Sequence, residues 1–196
     1  MGGKWGKWSS PTSERIDGKT VATKEYAQWS SIQHRTKGSK HYTGVVVSEN
    51  FQDFDWWLSW SKQQKGFGVL ERSGKRWSID KDIVGNGTIY HEDVCVYVPA
   101  EINNMMKGWG GVSNLPSGVK YKGDYYSSSC TYLGCDYYFG VSDNVKHSHG
   151  LYLKFREYCV VDIKNRYGNT VDERVYDKLM ESCNPDHYDY GIFDQL

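Results

Sequence analysis

Trp77-Ser78-Ile79-Asp80-Lys81-Asp82-Ile83-Val84-Gly85-Asn86-Gly87, leading into Tyr90-His91-Glu92-Asp93-Val94-Cys95-Val96-Tyr97-Val98-Pro99-Ala100-Glu101-Ile102-Asn103, is the stretch on which the fold turns. Ile79 and Ile83 bracket an acidic pair on a first strand, and Gly85-Asn86-Gly87 predicts a tight turn after it. Val94 to Val98 alternates poorly, as a strand buried on both faces does. Pro99 suits the first position of a helix, which Glu101 to Met106 continue until Gly108-Trp109-Gly110-Gly111 ends it. Strand, loop, strand and helix, with an acid on the first strand and an Asn on the helix, can hold one divalent metal ion against a phosphate.

Upstream of this block, residues 1–22 read as an irregular basic arm, rich in Gly, Ser and Lys. Thr23 caps a helix with Tyr26, Trp29, Ile32 and Gln33 along one face. Val45-Val46-Val47 predicts a short strand, and Phe51, Phe54, Trp57 and Leu58 an amphipathic helix flanked by Trp56 and Trp60. Downstream, the glycine run at 108–111 marks a domain boundary. Three short strands follow, at 118–121, 125–133 and 136–141, with Lys122-Gly123-Asp124 and Gly134 as turns. Asp143 or Asn144 then caps a helix through Leu151, Phe155, Cys159 and Ile163. Val171, Val175, Tyr176, Leu179 and Met180 carry a last helix, stopped by Asn184-Pro185.

The 196 residues contain 24 Lys/Arg and 24 Asp/Glu, and zero net charge argues against a protein that coats DNA by neutralising phosphates. The charge is unevenly placed. Residues 1–41 hold eight basic against three acidic side chains, and residues 172–196 two against seven, which predicts a basic arm and an acidic tail. No apolar run is long enough to span a membrane, and no apolar leader segment is visible. Gly6 stands where an N-myristoylation signal wants Ser or Thr, so acylation of Gly2 is not expected. Five irregularly spaced Cys form no even disulfide framework and fit a reducing cytosol. Cys130 and Cys135 with His147, His149 and Cys159 match no standard zinc spacing; small buried thiols explain the cysteines.

The block from Trp77 to Asn103 resembles the ββα-metal (His-Me finger-like) core of phage HNH homing endonucleases, in the group where that core precedes an ethylene-response-type DNA-binding domain of three strands and a helix. The likeness runs from about residue 20 to 180. Trp29 to Arg35 and Tyr42 to Val47 look like the family's opening helix and strand, Phe51 to Trp60 like its aromatic second helix, and Leu115 to Val119 like the start of its DNA-binding domain. The resemblance implies an α+β fold: an HNH-like ββα-metal domain at 23–107, a three-stranded antiparallel sheet packed on a helix at 112–166, and a C-terminal helix with an acidic tail at 170–196. It further implies a phage-encoded protein of the host cytoplasm or the virion, with double-stranded DNA as partner and Mg²⁺ or Mn²⁺ as cofactor.

In family register Asp80 and Asn103 stand at the two metal-ligand positions, with Asp82 and Asn86 near enough to assist. Lys81 holds the place of the general-base His, and Val94 that of the Asn that orients it. A Lys serves as base only when its pKa falls, whereas neighbouring Asp80 and Asp82 would raise it. His91, the block's only histidine, is the substitute catalytic candidate beside Lys81. Paired loss of His and Asn predicts cleavage that is weak or lost. On the plainer reading, Asp80 caps a turn and Asn103 satisfies loop backbone. Lys120, Lys122 and Lys146 are the phosphate-contacting candidates, and Tyr125 and Tyr126 the stacking ones. Residues 112–166 nevertheless hold only seven basic against five acidic side chains, and Tyr-rich strands also suit protein docking. The alternative expectation is therefore a non-catalytic interaction protein, virion-associated or bound to a host protein.

Overall fold

A computed structural model describes residues 8–107, 115–188 and 190, whose helices and strands follow one another in a mixed α+β order. The chain divides into two units, Met1–Val98 and Pro99–Leu196. In the first, Trp8 packs edge-on against Trp29 and Phe54, at 5.4 and 6.3 Å between ring centroids. The region read as an irregular arm contains a hairpin, β1 (Ser13–Ile16) and β2 (Lys19–Ala22). Asp17 and Gly18 turn it with φ of 49° and 77°, the two positive values that a type I′ turn needs. All eight strand residues are exposed, so no apolar alternation announces the ribbon.

Helix α1 (Lys24–Gly38) starts where Thr23 Oγ1 accepts the Tyr26 N–H at 3.2 Å. It buries Trp29, Ile32 and Gln33. The Gln33 amide is tolerated there because it donates to the Phe51 carbonyl at 2.9 Å, which also receives the Trp29 indole N–H at 2.8 Å. Strand β3 (Val46–Val47) precedes α2 (Glu49–Gln52) and α3 (Phe54–Ser61), capped by Ser48 and Asp53. Next come β4 (Ser78–Asp80), β5 (Ile89–Tyr90) and β6 (Val96–Val98).

Gly85-Asn86-Gly87 does not close a tight β4–β6 hairpin. After β4 the chain passes the glycine loop and pairs β5 with β3 in parallel. It then returns as β6, antiparallel to β4 with Ser78 opposite Val98. Val46 N–H to Thr88 O and Ser48 N–H to Tyr90 O, both 2.9 Å, fix this excursion. The core gathers Trp29, Ile32, Phe51, Phe54, Trp57, Leu58, Ile79, Tyr90, Cys95 and Tyr97.

The second unit opens with α4 (Ala100–Lys107), so the helix that carries Asn103 lies in it. The Gly108–Gly111 boundary falls outside the described residues. Strands β7 (Val119–Tyr121), β8 (Tyr126–Tyr132) and β9 (Cys135–Ser142) form an antiparallel sheet in that order. The sheet packs on α5 (Val145–Tyr167), which Asn144 caps, and α6 (Glu173–Glu181) follows. Phe155 of α5 meets the rings of Tyr137, Phe139 and Tyr132 at 4.4, 5.1 and 6.3 Å. His149 is fully buried in α5, with Nδ1 2.8 Å from the Tyr190 hydroxyl and its ring edge-on to Tyr188 at 4.4 Å. Among the described residues no helix is long and apolar enough to cross a membrane.

Candidate functional site

At the end of β4, the Asp80 carboxylate is 7% exposed, and its Oδ1 accepts the Asp82 and Ile83 N–H groups at 2.8 and 2.9 Å. These bonds turn the chain away from the strand. Burial pushes the carboxyl above its ordinary pKa, and the two backbone donors oppose that rise. Lys81 is also buried. Its ammonium donates to Asp82 Oδ1 at 2.6 Å and lies 5.5 and 5.6 Å from the ring centroids of Tyr42 and Tyr90. The Arg35 guanidinium shares those rings at 5.3 and 6.0 Å, and donates to the Tyr42 hydroxyl at 3.0 Å. Gly87, at φ 80°, closes the loop where a Cβ would come within 2.6 Å of Asp82 Oδ1. Asn86 caps its own turn by accepting from the Thr88 N–H and hydroxyl.

His91 follows β5 and organises a turn: its carbonyl accepts the Val94 and Cys95 N–H groups, and its Nδ1 the Asp93 N–H at 3.2 Å. Glu92 and Asp93 flank the ring at 3.6 and 3.5 Å. Asn103 is half-buried in α4, and its backbone N–H donates to the Pro99 carbonyl. Asp80 thus belongs to the first unit and Asn103 to the second. A Mg²⁺-type ion takes its ligands from several oxygens. Here one Asp80 oxygen serves two backbone donors, one Asp82 oxygen serves the Lys81 ammonium, and that fixed positive charge repels a second cation. The donor set of the Asp80 loop does not fit such an ion. Among the described residues no group of three or more His, Cys, Asp or Glu is arranged to hold a metal.

In the second unit, pairing register sorts the sheet's side chains by face. Lys120, Ser127 and Val141 stand in one row, then Ser129 with Tyr138, then Thr131 with Asp136. These rows lie on the face opposite the one that Tyr132, Tyr137 and Phe139 turn to α5. Tyr138 is 67% exposed and Val141 54%. Thr131 donates its hydroxyl to Asp136 at 2.6 Å. Lys122 and Tyr125 are exposed in the β7–β8 turn, closed by Lys122 N–H to Tyr125 O at 2.9 Å. Tyr126 instead packs against Val119 and Val145. Lys146, exposed at the start of α5, holds its ammonium 5.6 Å from the Tyr190 ring.

Sequence reading did not single out Arg35, Tyr42 and Tyr90 around Lys81, nor Ser127, Ser129, Thr131 and Tyr138 on the open face. Ser127, Ser129 and Thr131 were within reach, since alternation along β8 places them together; Tyr138 joins them only through its pairing with Ser129 beside a register shift. The grouping of Arg35 and Tyr42 with Lys81 and Tyr90 was not, because the two pairs lie about forty residues apart in the chain. No protein-family model, curated protein or solved structure matches this chain.

Proposed function

We propose that this chain is a double-stranded-DNA-binding protein of HNH homing-endonuclease type, in which metal-dependent phosphodiester cleavage is weak or lost. The observation that carries the reading is the sheet β7–β8–β9, backed by α5 on one face and open on the other with Lys120, Ser127, Ser129, Thr131 and Tyr138. The major groove admits β-structure, and hydroxyl side chains suit base edges and phosphate oxygens alike. Lys120 and Lys122 supply the phosphate contacts. Loss of cleavage is supported by Lys81, whose ammonium is committed to Asp82 and which stands where the family places a general base. One observation favours a second reading, a protein-docking surface on the same scaffold: Tyr138 and Val141 project from a face that bears only one Lys and one Asp in its paired rows.

Fluorescence anisotropy with a short duplex tests the first reading. Binding at low salt should weaken steeply as salt rises, and Lys120→Gln/Lys122→Gln should reduce it. Absence of binding at low salt would remove the DNA reading and leave the docking surface, for which co-purification from infected cells or particles is the measurement. Supercoiled plasmid with Mg²⁺ or Mn²⁺ should stay intact or nick only slowly. Rapid nicking that Asp80→Ala abolishes would restore an active nuclease.

A further inference from the structure

We infer that residues 34–41 of the first unit form a second phosphate-contacting surface for double-stranded DNA; this rests on the DNA-binding reading above. His34, Arg35, Lys37, Lys40 and His41 fall within eight residues, and no Asp or Glu occurs between Glu25 and Glu49. Helix α1 ends here, and Lys40–Tyr42 form a short 3₁₀ turn. His34, Lys37, Lys40 and His41 are exposed, whereas Arg35 is half-buried. The Tyr42 ring holds the Arg35 guanidinium at 5.3 Å and the Lys81 ammonium at 5.5 Å, so the basic segment adjoins the Asp80–Gly87 loop. The segment's own positive charge thus stands beside a loop whose Lys81 is already balanced by Asp82, in a chain that is neutral as a whole.

A purely structural explanation covers only part of this cluster. Cations in the last turn of a helix complement its dipole, which accounts for Arg35 and Lys37. Lys40 and His41 lie beyond the helix, and no salt bridge among the described residues engages either of them. By contrast Arg76, Lys178 and Arg174 each lie within 2.8 Å of a carboxylate oxygen. Like charges set this close repel one another, and an anion contacting several at once relieves that repulsion. Regularly spaced phosphates, each carrying one negative charge, are such an anion. Charge balance by unit points the same way: 14 Lys/Arg against 11 Asp/Glu up to Val98, and 10 against 13 from Pro99 onward.

The experiment is the salt dependence of duplex binding by full-length protein, read as the slope of log K against log salt. Lys37→Gln/Lys40→Gln should lower the magnitude of that slope by about 2 and weaken low-salt affinity roughly tenfold. Lys62→Gln/Lys65→Gln, two exposed lysines elsewhere in the unit, should leave the slope unchanged. Circular dichroism and the thermal midpoint should match wild type for both variants. If Lys120→Gln/Lys122→Gln flattens the slope while Lys37→Gln/Lys40→Gln retains it, the second surface is overturned and the DNA reading survives. An equal loss in the Lys62/Lys65 control would overturn it too, by tracing the effect to overall charge. No binding by wild type would sink both.

Discussion

Removing the charge from Asp80 and removing its side chain should act in different directions. Asn keeps an oxygen for the Asp82 and Ile83 N–H groups, so Asp80→Asn preserves the turn and deletes a buried negative charge. Ala leaves both donors without a partner, at a cost of about 2 kcal/mol. The folded-state pKa of Asp80 is raised by burial, so the folded protein favours the protonated form. Its contribution to stability is present below the unfolded value and is lost as pH rises through the folded one. Asp80→Asn should therefore match or exceed wild-type stability at neutral pH, and Asp80→Ala should fall below it in urea denaturation. Equal destabilisation by both would show that the carboxylate's charge is needed. His149 gives the opposite pH dependence. Burial holds its imidazole down at about 4, against an ordinary value near 6.5. The unfolded chain binds the extra proton first, so stability is full above about pH 6.5 and falls towards pH 4 by about 1.4 kcal/mol per pH unit. His149→Phe keeps a ring against Tyr152 and Tyr188, and should flatten the thermal midpoint between pH 6.5 and 4.5. Parallel loss in wild type and variant would assign the acid sensitivity to another group.

Strands carried by β-branched runs or bounded by turn residues were legible in the sequence, short ones such as β3, β4, β6 and β7 included, whereas the pairing of distant strands was not. Strands β8 and β9, with Gly134 between them, show their period and their turn, so the three-stranded sheet is predictable from residues alone. The cap at Thr23 was equally plain and that of α5 was narrowed to Asp143 or Asn144, because a short polar side chain before an apolar-periodic run has few other uses. Strand β3 was legible from Val45-Val46-Val47, but β5 is only two residues long and pairs with it across more than forty residues of chain, where neither periodicity nor turn chemistry has any hold. That missing pair is why Gly85-Asn86-Gly87 reads as the turn of a β4–β6 hairpin when it belongs to a loop leading to β5. The β1–β2 ribbon escaped for the converse reason. Asp17-Gly18 is a strong turn signal, yet all eight flanking residues are exposed and show no buried face to the sequence reader. The candidate site divides along the same line. Asp80 and Lys81 could be named from local order, whereas the Tyr42 and Tyr90 rings that hold Lys81 depend on the unreadable pairing.

At the scale of the whole molecule, the division at Val98 makes two chains of equal length with different chemistry. Met1–Val98 buries its own aromatic core around Trp29, Phe54 and Trp57, and Pro99–Leu196 buries Leu153, Val160, Ile163, Val175 and Leu179 of α5 and α6. Domains of about 100 residues bury enough surface to fold alone. Each half, expressed separately, should therefore give a cooperative urea transition. Seven of the eight Trp precede Val98, so tryptophan emission follows the first half and tyrosine absorbance the second. The halves should also part by charge, since the first carries three more basic than acidic side chains and the second three fewer. A cation exchanger at neutral pH should retain the first and pass the second. If residues 34–41 and the open sheet both contact DNA, each half should bind duplex more weakly than the full chain, and the first should show the steeper salt dependence. A second half that binds as tightly as the intact protein would place all of the recognition on the sheet. A first half that fails to fold would show that its core needs residues beyond Val98.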